Sequence, residues 1–198
     1  MTDRQKFGMI KWTGGDSRLP AYLYPQEAHR IIEATAGSRQ ADRDRLLLEL
    51  LLQTGLRISE ALAITPADLG TLDRQPICRI RKGKGGKERI VALPAGLSSE
   101  LLIYCRQLSF EGEDRRIFRI TRQRAWQIVK DAAGRAGVSK NVYLHLFRHS
   151  YAIGFLRETG HPQALMTLLG HSTPAMTLRY LKLLQTEDAL KIAEGFEL

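Results

Sequence analysis

The chain has 198 residues, 43% hydrophobic and 26% charged, about one domain's worth of sequence and too apolar for a wholly disordered chain. Its 30 Lys and Arg against 21 Asp and Glu give a formal net charge of +9, a surplus that points to a polyanionic partner, most often nucleic acid. The 2 cysteines make no disulfide framework and no metal-ligand spacing, and no apolar run reaches the roughly 20 residues of a membrane span. A cytoplasmic protein without membrane contact is therefore expected.

Residues 1 to about 19 are polar, contain Gly14-Gly15, lead into no signal-like apolar stretch, and read as an arm. From Pro25 the pattern turns helical, with Ala28, Ile31, Ile32 and Thr35 at three- and four-residue spacing as far as Gly37. Residues 42–53 include Leu46, Leu47, Leu48, Leu50, Leu51 and Leu52. A helix apolar on nearly every side is a buried central one. Gly55 interrupts it, and residues 58–64 resume the pattern until Pro66. Residues 77–80 and 89–93 are short and β-prone, with a glycine-rich basic stretch between them. This predicts a β-hairpin with a positively charged tip. Helices are then predicted over about 98–107, 122–136, 146–158, 162–169, 174–181 and 186–194, with Gly112, Gly137, Gly160 and Gly170 separating most of them. The expected fold is mainly α with one small antiparallel sheet.

Charge is concentrated along the chain. Arg74 to Val91 holds seven Lys and Arg against Glu88, and Arg115 to Arg135 holds seven against Asp131. From Lys182 onward the balance is acidic. Two segments thus offer polyanion contacts, and the tail does something else.

Four local patterns carry chemistry. Thr54-Gly55-Leu56-Arg57-Ile58-Ser59-Glu60 places an arginine at a helix start, where it can pair with Glu60 or grip a phosphate in bidentate fashion. Gly83-Lys84-Gly85-Gly86-Lys87-Glu88-Arg89 is no phosphate-binding P-loop, because a strand follows it rather than a helix. It is either a solvated turn or a mobile lysine that reaches a phosphate. His145 and Arg148, three apart, share one helical face and join a titratable donor to a fixed charge. Gly170-His171 is followed nine residues later by Tyr180. That phenol is either a core residue or a nucleophile activated by cationic neighbours or a base. The carboxylate clusters, Asp42-Arg43-Asp44 and Glu111-Gly112-Glu113-Asp114, fall in apparent loops away from these patterns, so no metal and no other cofactor is expected.

In this order the four patterns resemble the catalytic constellation of the tyrosine recombinase/integrase family, from about Leu23 to Lys182. The resemblance implies the family's catalytic fold and a site-specific recombinase. Such an enzyme cleaves and rejoins double-stranded DNA through a 3′-phosphotyrosine, without metal or ATP. It implies that Arg57 and Arg148 clamp the scissile phosphate and that Tyr180 attacks it. Lys84 would protonate the departing 5′-oxygen, with Lys87 next in line. His145 would act as acid and base, His171 would donate to a phosphate oxygen, and Glu60 would support Arg57. Arg81, Lys82, Lys87, Arg89, Arg122 and Arg124 are the further expected DNA contacts. The resemblance divides the chain into an arm (1–22), a catalytic domain (23–182) and a tail (183–198) that docks on a neighbouring protomer. The expected assembly is a tetramer on DNA and a monomer in solution, with accessory proteins allowed. Typical members carry about a hundred more N-terminal residues, which implies either a minimal recombinase or an excised catalytic domain. A type IB topoisomerase would share the nucleophile but not the pairing of two DNA sites. A non-catalytic DNA-binding regulator would be expected to lack some of the six catalytic residues. An RNA-binding module would favour aromatics on its sheet.

Overall fold

The computed structural model describes residues 20–81, 88–110, 113–171 and 173–194. Its axis is α2 (Ala41–Thr54), where Leu46, Leu47, Leu48, Leu50 and Leu51 are all buried. A helix can bury leucines on every side only if neighbours surround it. Here α1 (Pro25–Glu33), the 3-10 turn after it (Ala34–Gly37), α4 (Ala95–Gln107), α5 (Arg122–Arg135) and α6 (Leu144–Thr159) all pack on α2. Each buried leucine contributes about 1.5–3 kcal/mol of transfer free energy. Asp42 and Asp44, expected in a loop, lie in the first turn of α2, and Asp44 is buried beside Arg43. Acidic residues are favoured there by the helix dipole.

Three antiparallel strands, β1 (Leu69–Leu72), β2 (Gln75–Ile80) and β3 (Arg89–Ala92), form a sheet in the order β1-β2-β3. Cys78, Ile80 and Val91 turn inward from it. The predicted hairpin is the β2–β3 pair, with Ile80 opposite Arg89. Its tip, carrying Lys82, Lys84 and Lys87, lies outside the described residues. Strand β1 was not expected. It is short, contains Gly70, and turns into β2 through Asp73 and Arg74, both at positive φ (47° and 67°). Two consecutive left-handed residues make the tight hairpin turn that usually advertises itself as Asn-Gly.

The C-terminal part stacks α6 with α7 (Pro162–Leu169) and α8 (Ala175–Glu194) around Ile153, Leu156, Leu165, Leu169, Tyr180 and Leu183. Two helices were expected where α8 runs unbroken, because residues 182–185 contain no glycine or proline to stop it. Helix α8 is pinned back on the domain at Glu187, which accepts from the Tyr22 hydroxyl at 2.7 Å and from Arg157 at 2.6 Å. The arm up to residue 19 and residues 195–198 of the tail lie outside the described residues. Among the described residues no helix is long and apolar enough to cross a membrane.

Candidate active site

The site begins at Gly55, which ends α2 in the left-handed conformation (φ 63°). The chain then turns sharply through buried Leu56 to Arg57, the N-cap of the short helix α3 (Ile58–Ala61). Glu60 lies one turn on. It accepts the Arg57 backbone N–H at 2.9 Å and the Arg57 guanidinium, also at 2.9 Å. Arg89 from β3 donates both terminal nitrogens to the same carboxylate, at 2.9 and 2.8 Å, and its Nε to the carbonyl of Leu168 at 2.9 Å. Burial would raise the Glu60 pKa, but the bonds from Arg89 and Arg57 outweigh it and hold the carboxyl below its usual range. Arg89 was expected among the DNA contacts. The structure corrects this: its side chain is 11% exposed and committed to Glu60.

Arg148 comes from α6 and is almost wholly buried. It donates to the carbonyls of Gly55 at 2.7 Å and Leu169 at 2.8 Å, the last turns of α2 and α7. Both are carbonyls that helix ends leave unpaired. Burial and then the charge of Arg57 push its pKa down to about 10, so it stays cationic at neutral pH. Its neighbour His145 makes no hydrogen bond among the described residues. Desolvation of its ring, then Arg148, Arg57 and Arg122, lower its pKa. His171 follows Gly170, the left-handed end of α7, and pairs its Nδ1 with the Thr177 hydroxyl at 3.1 Å. Burial, then Arg148, Arg57, Arg89 and His145, push His171 down to about 4.

Tyr180, on α8, is 0% exposed. Its hydroxyl lies 2.7 Å from Nδ1 of His149. Burial pushes the phenol up to about 12, against the pull of Arg148. His149 was missed in the sequence. It is buried, sits one residue after Arg148, and meets the His145 ring edge-on with centroids 4.7 Å apart. Its spacing of four from His145 puts both on one face of α6, and that signal could have found it.

Arg57, Arg148, His145, His171 and Tyr180 are therefore brought together by the start of α3, by α6, by α8 and by the loop before α8. Beyond burial, the charges of Arg148 and Arg57 lower the pKa of His145 and His171, and Arg57 lowers that of Arg148 against the pull of Glu60. A site where Arg57, Arg89 and Arg148 outnumber the single carboxylate of Glu60 is completed by an anion. Two arginines and two histidines suit a phosphate whose non-bridging oxygens gain charge during transfer, and a phenol can attack it. Lys84 lies outside the described residues. Arg122 and Arg124 are exposed at the start of α5, where Thr121 caps the helix by accepting from the Arg124 N–H. Arg81, at the foot of the hairpin tip, pairs with Asp68 and remains partly exposed. Among the described residues no group of three His, Cys, Asp or Glu is placed to hold a metal ion.

The phage integrase family model matches residues 21–187. The chain is 36% identical over 179 residues to the tyrosine recombinase XerD of Mycobacterium tuberculosis, a match covering 82% of this chain and 57% of that protein. It is 35% identical over 171 residues to the tyrosine recombinase XerA of Thermococcus kodakarensis, covering 83% of this chain and 58% of that protein. Among solved structures, the XerH site-specific recombinase in a post-cleavage complex with palindromic difH substrate matches with a TM-score of 0.77 at 25% identity. That match covers 90% of this chain and 54% of the other. The catalytic domain of bacteriophage HP1 integrase matches with a TM-score of 0.64 at 27% identity, over 82% of this chain and 87% of the other. The chain spans a little over half the length of these two curated relatives, and most of an isolated catalytic domain.

Proposed function

Because the chain belongs to the phage integrase family, we propose that it is a tyrosine site-specific recombinase that cleaves and rejoins double-stranded DNA through a covalent 3′-phosphotyrosine. The observation that carries this reading is the buried Tyr180 phenol in one cluster with the cations Arg57 and Arg148 and the imidazoles of His145 and His171. Arg57 and Arg148 clamp the scissile phosphate, Arg57 oriented by Glu60 and Arg148 by two helix-end carbonyls. Tyr180 attacks phosphorus, and His145 and His171 stabilise the charge that builds on the phosphate oxygens. Lys84 protonates the leaving 5′-oxygen. The covalent bond to tyrosine conserves the energy of the broken phosphodiester, so rejoining needs no nucleotide cofactor. Arg122 and Arg124 add contacts to the DNA backbone.

The substrate is a duplex with inverted half-sites, the arrangement of the palindromic site that XerH binds. Residues 23–182 form the catalytic domain, behind an arm (1–22), of a cytoplasmic protein that is a monomer in solution and a tetramer on DNA. The tail (183–198) joins protomers. Leu190, 66% exposed on α8, offers apolar surface for that contact.

The test is a nicked suicide duplex from the DNA flanking the chain's own gene. The wild-type protein forms a denaturant-resistant adduct. Tyr180→Phe binds the same DNA and forms none. An undiminished adduct in that variant moves the nucleophile to Tyr143 or Tyr151.

A further inference from the structure

The nucleophile of this reaction must lose a proton, and the structure gives the Tyr180 hydroxyl one partner among the described residues, Nδ1 of His149 at 2.7 Å. The other candidates for a base are turned elsewhere. Glu60 is committed to Arg57 and Arg89. The Nδ1 of His171 faces Thr177. His145 meets His149 ring to ring and makes no hydrogen bond to Tyr180. We propose that His149 accepts the phenolic proton of Tyr180 as its oxygen attacks phosphorus, and returns that proton on rejoining. The proposal rests on the recombinase reading.

The step balances. The Tyr180 oxygen–phosphorus bond forms, the phosphorus–O5′ bond breaks, and the phenolic proton passes to His149. The leaving 5′-oxygen takes its own proton from the general acid. In the reverse step the 5′-hydroxyl attacks and gives its proton back to the deprotonated general acid, the O5′–phosphorus bond forms as the tyrosine oxygen–phosphorus bond breaks, and the departing tyrosine oxygen recovers its proton from the imidazolium.

The surroundings set when the base can act. His149 faces His145 and Arg148 from its own helix, His171 from the preceding loop, and Tyr180 from α8, whose phenol also feels Tyr143. Burial, then His145, Arg148 and His171, hold His149 down at about 4, so its ring is neutral with a lone pair free. A weak base beside a phenol pushed up to about 12 leaves the proton on tyrosine. A docked phosphate offsets the charge of Arg148 and brings negative charge to the cluster, and the basicity of His149 rises with it. The nucleophile is thereby activated by arrival of the substrate.

Single-turnover adduct formation on the nicked duplex tests this with His149→Gln and His149→Ala. Both variants should bind DNA as the wild type does and form the adduct about 100-fold more slowly. Added imidazole should speed His149→Ala. Site-specific 3-fluorotyrosine at position 180, a more acidic phenol, should restore part of the rate of His149→Gln. A wild-type rate in His149→Gln overturns the proposal. So does a faster rate in His149→Ala, which would make the bond a restraint on Tyr180. A slow His149→Gln that 3-fluorotyrosine does not relieve also overturns it, and leaves His149 a purely structural role. No adduct from the wild-type protein would instead reject the recombinase reading itself.

Discussion

Arg89 holds both carboxylate oxygens of Glu60 from a strand 29 residues further along the chain, at 2.9 and 2.8 Å. The pair ties β3 to α3, and through the Arg89 bond to the Leu168 carbonyl it ties both to α7. Glu60 holds Arg57 at the same time, so the bond network that stabilises the fold also aims the arginine proposed to bind phosphate.

Removing Arg89 leaves the buried Glu60 carboxylate with Arg57 alone and two of its hydrogen bonds unmade. Arg89→Ala should therefore cost about 1–3 kcal/mol, measured by urea denaturation. It should also slow cleavage, since Arg57 then shares Glu60 with no strand to anchor it.

The salt dependence of DNA binding separates surface cations from this internal one. If roughly six phosphates are neutralised, log K should fall with log salt with a slope of about −5. Arg122→Ala and Arg124→Ala should each flatten that slope by about 0.9. A folded Arg89→Lys should leave it unchanged, as a titration at several salt concentrations would show.

Gly55→Ala should disable the site from a distance. A Cβ there would lie 2.4 Å from Cδ1 of Tyr151 and 2.7 Å from Cδ2 of Leu169, on a backbone at φ +63°. Strain and overpacking together should cost about 3 kcal/mol. The Gly55 carbonyl also receives Arg148, so a variant that still folds should form adduct more slowly than the wild type.

Acid should weaken the fold in two stages. His149 and His171 both sit at about 4 in the folded protein, against about 6.5 unfolded. Between those values the unfolded chain binds more protons, so stability falls as pH falls, by up to about 1.4 kcal/mol per pH unit for His149. The partly exposed His171 contributes less. Glu60, held below its usual range, adds its loss only as pH drops through that lowered value, beneath about 4.3. Urea midpoints at pH 7, 6 and 5 should decline, and His149→Gln should make the decline shallower.

Cleavage should persist in excess EDTA. In the proposed reaction the charge on the phosphate is met by Arg57, Arg148, His145 and His171, and the nearby carboxylates are engaged elsewhere: Glu60 with two arginines, Asp68 with Arg81.

Much of this architecture was legible in the residues. The leucine run 46–52 announced a surrounded helix, and the change of period after Pro66 announced the sheet. What escaped followed from contacts across the chain. Strand β1 hid because its turn uses Asp73 and Arg74 in place of glycine. The continuity of α8 hid because nothing in residues 182–185 distinguishes a helix from a linker of good helix formers. Arg89 looked like a surface cation in a basic stretch, and only the fold brings it to Glu60. His149 hid behind the stronger His145–Arg148 pair, since its partner Tyr180 is 31 residues away.

The unbroken run of α8 makes it a lever. Glu187 lies seven residues beyond Tyr180, two helical turns and about 10 Å along the same face. It is fastened to Tyr22, where the chain enters the domain, and to Arg157. A rigid rod pinned at one end cannot swing its middle freely. Tyr180, fully enclosed as it stands, keeps its place against His149 as long as the rod holds. Force applied to the polypeptide just ahead of Leu23 would thus be felt at the Tyr180 hydroxyl, with Tyr22 as the handle and Glu187 as the point where it grips.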